Sequence, residues 1–183
     1  MKKPYFEVGI VVLVVLLVSL VFWHHHLKSS HKLLTSSAIS VQSGRYVRDV
    51  DGDTIVIVYQ GVTQNVRLIG IDTPESKRNA KAKLDSKTKH IPLDTIIKEG
   101  KAAAEFTKAQ FTTSNIQIET DKQLKDKYGR LLAYVYLNGT MLNSTIISEG
   151  YAYPMTVKPN VKYASQFAQL YAEAVAGKKG LWK

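Results

Sequence analysis

Apolar residues run almost without interruption over 6–23, and no later stretch of the chain repeats that pattern. A run close to the ~20 residues of a membrane span, with no polar face to turn outward, suits hydrocarbon better than a soluble fold. Lys2 and Lys3 precede it and predict a cytoplasmic N-terminus. The bulky Leu20, Val21, Phe22 and Trp23 leave no small-residue cleavage site at its end, which favours a retained membrane anchor; the alternative, a cleaved signal peptide, stays open. On this reading 1–28 is the membrane segment, the Ser/Thr-rich 29–40 a linker, and 41–183 the folded domain.

Past residue 41 the pattern changes to short β-rich runs, at 41–50, 54–60, 65–71, 115–120 and 131–137, the last with Leu132, Tyr134 and Tyr136 alternating. Helical spacing follows in Ala102, Phe106 and Ala109, in Leu142 and Ile146 before a stop at Gly150, and in Tyr163, Phe167, Leu170, Tyr171 and Ala174. The order β-β-β-α-β-β-α-α predicts an α+β domain, mainly a small β barrel with OB-type closure and three helices. A hairpin turning through Gly61, Val62 and Thr63 places Asp53 opposite Asp72. Strict alternation sends Arg67 and Asp72 to opposite faces unless a bulge at Gly70 intervenes.

Charge narrows the function. Lys+Arg number 25 against 15 Asp+Glu, a formal balance of +10, which favours polyanionic partners. The chain has no cysteine, which excludes disulfides and thiolate metal sites; any metal must be held by oxygen or imidazole. Asp51-Gly52-Asp53-Thr54, Arg67, Asp72-Thr73-Pro74-Glu75 and Asp126-Lys127-Tyr128-Gly129-Arg130 supply two carboxylate clusters and two guanidinium groups. Carboxylates hold hard cations, arginine forks hold phosphate, and a further carboxylate can take a proton from water. Each motif alone also reads as an ordinary turn; the ordered set points to a metal-dependent phosphodiesterase.

Val50-Asp51-Gly52-Asp53-Thr54, Val66-Arg67-Leu68 leading to Ile71-Asp72-Thr73-Pro74-Glu75, and Asp126-Lys127-Tyr128-Gly129-Arg130-Leu131-Leu132 resemble the staphylococcal nuclease (thermonuclease) family. The similarity runs on through Met141-Leu142-Asn143, Glu149-Gly150, Lys158-Pro159-Asn160 and Gly180-Leu181-Trp182. It implies a five-stranded OB barrel with three helices and Ca²⁺-dependent hydrolysis of DNA and RNA that leaves 3′-phosphate ends. The same resemblance assigns Asp53, Asp72 and the Thr73 carbonyl as calcium ligands, with Asp51 as a supporting carboxylate. Glu75 would orient or deprotonate the attacking water, and Arg67 and Arg130 would clamp the phosphate. Lys127 and Tyr128 would lie beside the nucleotide, although Tyr128 also reads as an aromatic packed beside a strand.

Two departures stand out. Met155-Thr156-Val157 occupies the stretch where the family's best-known member carries two base-pocket tyrosines. The segment 76–93 is longer than the family's loop and holds Lys77, Arg78, Lys81, Lys83, Lys87 and Lys89, read as a solvated loop that can steer a polyanion. The expected protein is therefore a monomeric nuclease acting on DNA and RNA outside the cytoplasmic membrane, single-pass or secreted. The alternative is a noncatalytic OB module that binds nucleic acid at the membrane surface.

Overall fold

The structure, a computed structural model, describes residues 42–113 and 115–183. The expected membrane segment lies outside the described residues, and among these no helix is long and apolar enough to cross a membrane.

Six strands build the principal sheet: β1 (Gln42–Asp51), β2 (Thr54–Tyr59), β3 (Val62–Leu68), β5 (Asn115–Glu119), β6 (Leu131–Leu137) and the short β7 (Thr140–Met141). They run in the order β3-β2-β1-β5-β6-β7, and a parallel pairing of β3 with β6 closes the first five into a barrel. Closure leaves those strands no open edge. A second, two-stranded sheet pairs β4 (Gly70–Asp72) with β8 (Tyr153–Met155). Ile55, Ile57, Val66, Leu68, Ile118, Ala133 and Val135 fill the core from the strands. Fully burying a side chain of their kind contributes about 1.5–3 kcal/mol.

Four α-helices are described, α1 (Ala80–Lys89), α2 (Leu93–Ala109), α3 (Leu142–Ser148) and α4 (Ala164–Ala176). α3 buries Leu142 and Ile146, and α4 buries Phe167 and Ala174, as their spacing predicts. In α2 the buried stripe is Ile96, Gly100, Ala103 and Thr107, rotated from the predicted Ala102, Phe106 and Ala109. Phe106 is half-buried instead, stacked on Tyr151 with ring centroids 4.3 Å apart. A glycine and a threonine line the barrel face because the site beneath needs a close approach and a hydroxyl, which an apolar count does not register.

The segment 76–93 is not the solvated loop expected. Most of it is α1, capped by the Asn79 side chain, which accepts from the Ala82 N–H at 2.8 Å. Such a cap satisfies one of the orphan donors of a first turn and stabilises a helix by about 1 kcal/mol. Only Ala82 is buried in α1, so there is no apolar stripe to detect.

The hairpin register also differs from expectation. Tyr59 pairs with Val62 and Thr54 with Arg67, because the turn is the two residues Gln60 and Gly61, both at positive φ. Asp53 therefore lies level with Leu68, whose N–H donates to the Asp53 carbonyl at 2.9 Å, and not opposite Asp72. The bulge weighed at Gly70 has a counterpart in the structure: the chain breaks out of β3 after Leu68, and Gly70 adopts φ +81°. A Cβ at Gly70 would lie 2.4 Å from the Phe167 ring, so the corner requires glycine for backbone and space alike. The buried Asn143 stitches this corner down, donating to the Ile69 carbonyl at 2.9 Å and accepting from the Val135 N–H at 3.0 Å.

Candidate active site

The corner at Gly70 turns the chain so that Arg67 and Asp72 meet despite their odd separation. The Arg67 Nη1 donates to the Leu68 carbonyl at 2.9 Å and the Ile71 carbonyl at 2.7 Å. Its Nη2 lies 3.0 Å from Asp72 Oδ1 and 3.1 Å from Asp53 Oδ2. The two carboxylates are thus brought together as expected, through a shared guanidinium and not through a strand ladder. At 10% side-chain exposure for Arg67, this is a buried cation with four acceptors.

Asp53 is fixed from the other side. Thr54 Oγ1 donates to its Oδ1 at 3.0 Å, and the Thr73 N–H and Oγ1 donate to its Oδ2 at 2.9 and 3.2 Å. Thr107 of α2, buried and not singled out by sequence, donates to the Gly52 carbonyl at 2.7 Å and holds the turn carrying Asp51 and Asp53. Burial and the charges of Asp53 and Glu75 push the Asp51 carboxyl up to about 6. Burial and the charge of Asp53 likewise raise Asp72, against the lowering influence of Lys81 and Arg67. Carboxylates crowded in this way favour either a shared proton or a cation.

Glu75 follows on the same loop. Its Oε2 accepts from Asn79 Nδ2 at 2.6 Å and its Oε1 lies 3.1 Å from Lys81 Nζ. Lys81 also reaches Asp72 Oδ2 at 3.3 Å and Asp85 Oδ2 at 3.1 Å. Burial alone would lower the Lys81 ammonium, but Asp72, Asp85 and Glu75 outweigh it and raise it. Beneath this loop α2 comes so close that a Cβ at Gly100 would lie 2.3 Å from the backbone carbonyl of Glu75.

Arg130 is built from a tight loop. The Asp126 carboxylate accepts from the Tyr128 and Arg130 N–H groups at 2.9 and 3.0 Å and from Arg130 Nε at 2.6 Å. Burial by itself would raise Asp126, but these donors prevail and its carboxyl is lowered. Among the described residues the two Nη groups of Arg130 make no hydrogen bond to protein. Tyr128 is 72% exposed, so it is not a packed strand-flanking aromatic. Lys127 Nζ and the Arg130 guanidinium lie 5.0 and 5.5 Å from the centre of its ring.

A cavity of about 480 Å³ is lined by Arg67, Lys127, Tyr128 and Arg130 together with Met155 and Val157. Asn160 braces it, exchanging hydrogen bonds of 2.8 Å with the Gln123 N–H and carbonyl. Arg67 belongs to both groups: it lines this cavity and is ion-paired to Asp53 and Asp72. The donor set that these two carboxylates offer is all oxygen, which suits a hard divalent cation. Among the described residues no three His, Cys, Asp or Glu side chains form a metal cage, so Asp53, Asp72 and the Thr73 carbonyl would need water to complete a coordination shell.

Over residues 65–183 the chain matches the family model described as staphylococcal nuclease homologue. It is 35% identical over 182 residues to the thermonuclease of Staphylococcus hyicus, an overlap covering 100% of this chain and 99% of that one. It is 38% identical over 137 residues to the SPbeta prophage-derived endonuclease YokF of Bacillus subtilis (strain 168), covering 74% of this chain and 42% of YokF. Endonuclease YncB of the same organism is 36% identical over 137 residues, covering 74% of this chain and 59% of YncB. With a barrel that closes in OB fashion and relatives of this kind along its full length, the chain belongs to the staphylococcal nuclease family and is a hydrolytic nuclease.

Proposed function

We propose that the protein is a Ca²⁺-dependent endonuclease that cleaves phosphodiester bonds of both DNA and RNA on the outer side of the cytoplasmic membrane, tethered by 6–23. The observation that carries the catalytic reading is the shared cavity: Arg67 and Arg130 line it together, and Asp53 and Asp72 are ion-paired to Arg67. Such an arrangement reads phosphate and not base edges, so it discriminates little between the two nucleic acids.

Bound between Asp53, Asp72 and the Thr73 carbonyl, calcium would supply Lewis-acid polarisation of a phosphoryl oxygen. Glu75 takes a proton from the attacking water as the new O–P bond forms, while the bond from phosphorus to the 5′ oxygen breaks and that oxygen leaves as a hydroxyl with a proton from solvent, so the phosphate stays on the 3′ end. Arg130 presents its two Nη groups to the phosphoryl oxygens, where negative charge builds. Arg67, with Nη1 and Nη2 engaged by protein, contributes a fixed charge and its Nε–H. Lys127 and Tyr128 flank the nucleotide, and Met155 and Val157 give the base an aliphatic wall. The protein works as a monomer on this reading, since every residue of the mechanism comes from one chain.

Steady-state cleavage by the full chain tests the proposal, with single-stranded DNA and with RNA, in Ca²⁺ and in excess chelator. Activity on both substrates that chelator abolishes is expected; full activity in chelator would remove the metal, and binding without cutting at all calcium concentrations would leave a noncatalytic OB module. For location, protease added to wall-stripped cells is expected to remove the domain. Protection until the membrane is permeabilised would reverse the orientation, and a soluble product in the medium beginning beyond Trp23 would make 6–23 a signal peptide.

A further inference from the structure

Glu75 sits on a loop, and a glutamate has three side-chain torsions to fix before it can meet a water in line with a phosphate. Among the described residues neither the barrel nor α2 holds its carboxylate; its partners are Asn79, the cap of α1, and Lys81 in its first turn. Asn79 Nδ2 takes Oε2 at 2.6 Å and Lys81 Nζ takes Oε1 at 3.1 Å. Lys81 is itself anchored twice, to Asp72 at the end of β4 and to Asp85 one turn along α1. Its ammonium therefore ties the inserted helix to both the carboxylate proposed to hold metal and the one proposed to take the proton.

We infer that Asn79 and Lys81 are positioning residues for the reaction, holding the two oxygens of Glu75 in the orientation from which it accepts the proton of the attacking water. This rests on the reading of Glu75 as that acceptor. Each carboxylate oxygen has two lone pairs, so one contact per oxygen secures the group and leaves a lone pair on each for the proton. The gain is orientational: misplacing a reacting group by about 1 Å can cost about 10²-fold in rate. Lys81 thereby leaves the set of basic residues expected only to attract substrate. It is 41% exposed and satisfied by three carboxylates, whereas Lys77 and Lys83 are open to solvent.

Asn79 has two separable duties, because its Oδ1 caps α1 and its Nδ2 donates to Glu75. Asn79→Ser keeps a capping oxygen and removes the amide nitrogen that reaches Glu75. Lys81→Met deletes the ammonium and keeps the stem, and Lys81→Arg restores charge and donors. Each is made in the full chain with and without Glu75→Gln, and kcat and KM are measured on single-stranded DNA in saturating Ca²⁺, with thermal melting as the check on folding. We expect kcat to fall about tenfold in Asn79→Ser and in Lys81→Met, with KM within about twofold, and Lys81→Arg to recover most of the loss. In the Glu75→Gln background neither change should lower kcat further. Wild-type kcat in Asn79→Ser and Lys81→Met beside a slow Glu75→Gln overturns this inference and leaves the role of Glu75 intact. A loss confined to KM, or an equal further drop in the Glu75→Gln background, overturns it too. Wild-type turnover in Glu75→Gln itself removes the role of Glu75, and the inference with it.

Discussion

Arg67 and Arg130 look into one cavity, yet the fold treats them in opposite ways. Arg67 rises from a barrel strand, keeps 10% of its side chain exposed and gives both Nη groups to protein acceptors. Arg130 stands on a loop at 30% exposure and, among the described residues, commits only its Nε, to Asp126. The same residue type thus serves as a structural hub on one wall and as a presented donor on the other. What separates them is the supply of nearby acceptors: the corner at Gly70 turns two carbonyls and Asp72 toward Arg67 while the turn before β2 adds Asp53, and the 126–130 loop offers Arg130 the Asp126 carboxylate.

The largest effect should come from breaking the hub. Arg67→Met is expected to lower unfolding free energy by about 3–5 kcal/mol, because Asp53 would keep only the neutral donors of Thr54 and Thr73, and Asp72 only Lys81, once the buried guanidinium they share is gone. Urea melts of Arg67→Met and Arg130→Met, run side by side, test this; equal destabilisation would erase the distinction between the walls. Next in size, Arg130→Lys should lower turnover about 10²-fold while stability stays within about 0.5 kcal/mol, since a point charge cannot reproduce the guanidinium fork. Wild-type turnover in that variant would remove Arg130 from the chemistry. The smallest effect belongs to the solvent side of α1. Lys77→Gln with Lys83→Gln should flatten the salt dependence of substrate capture by about one to two units of slope and leave saturated turnover unchanged. An unaltered slope would mean that these lysines lie off the path of the nucleic acid.

The sequence was most readable where burial is periodic. β6 was placed with its ends correct, and α3 and α4 were found from apolar spacing, because one face of each packs on the core. The hairpin register was not readable, since it turned on Gln60, a residue with no special claim to positive φ, joining Gly61 in the turn. α1 was missed for the opposite reason: a helix held by a cap and by ion pairs, with one buried alanine, carries no hydrophobic period. Its one local sign was Asn79, a capping residue ahead of Ala80. Within the site, the motifs named Asp53, Asp72 and Arg130, which the structure places on Arg67 or along its cavity, and Glu75, which it joins to Asp72 through Lys81. Thr107, Asn79 and Lys81 escaped because their partners are carbonyls and carboxylates reached through the fold, and a one-dimensional pattern does not encode those encounters.

The approach of α2 to the Glu75 backbone has a bearing on how mutational maps of this enzyme will read. Position 100 is buried on α2 and would ordinarily be scored for packing alone. Yet any side chain there must push against the peptide that carries Glu75. Substitutions such as Gly100→Ala should therefore surface in an activity screen as apparent active-site lesions, and a stability screen of the same library would rank them differently. Disagreement between the two screens at one glycine would trace the mechanical route by which the helix layer reaches the chemistry.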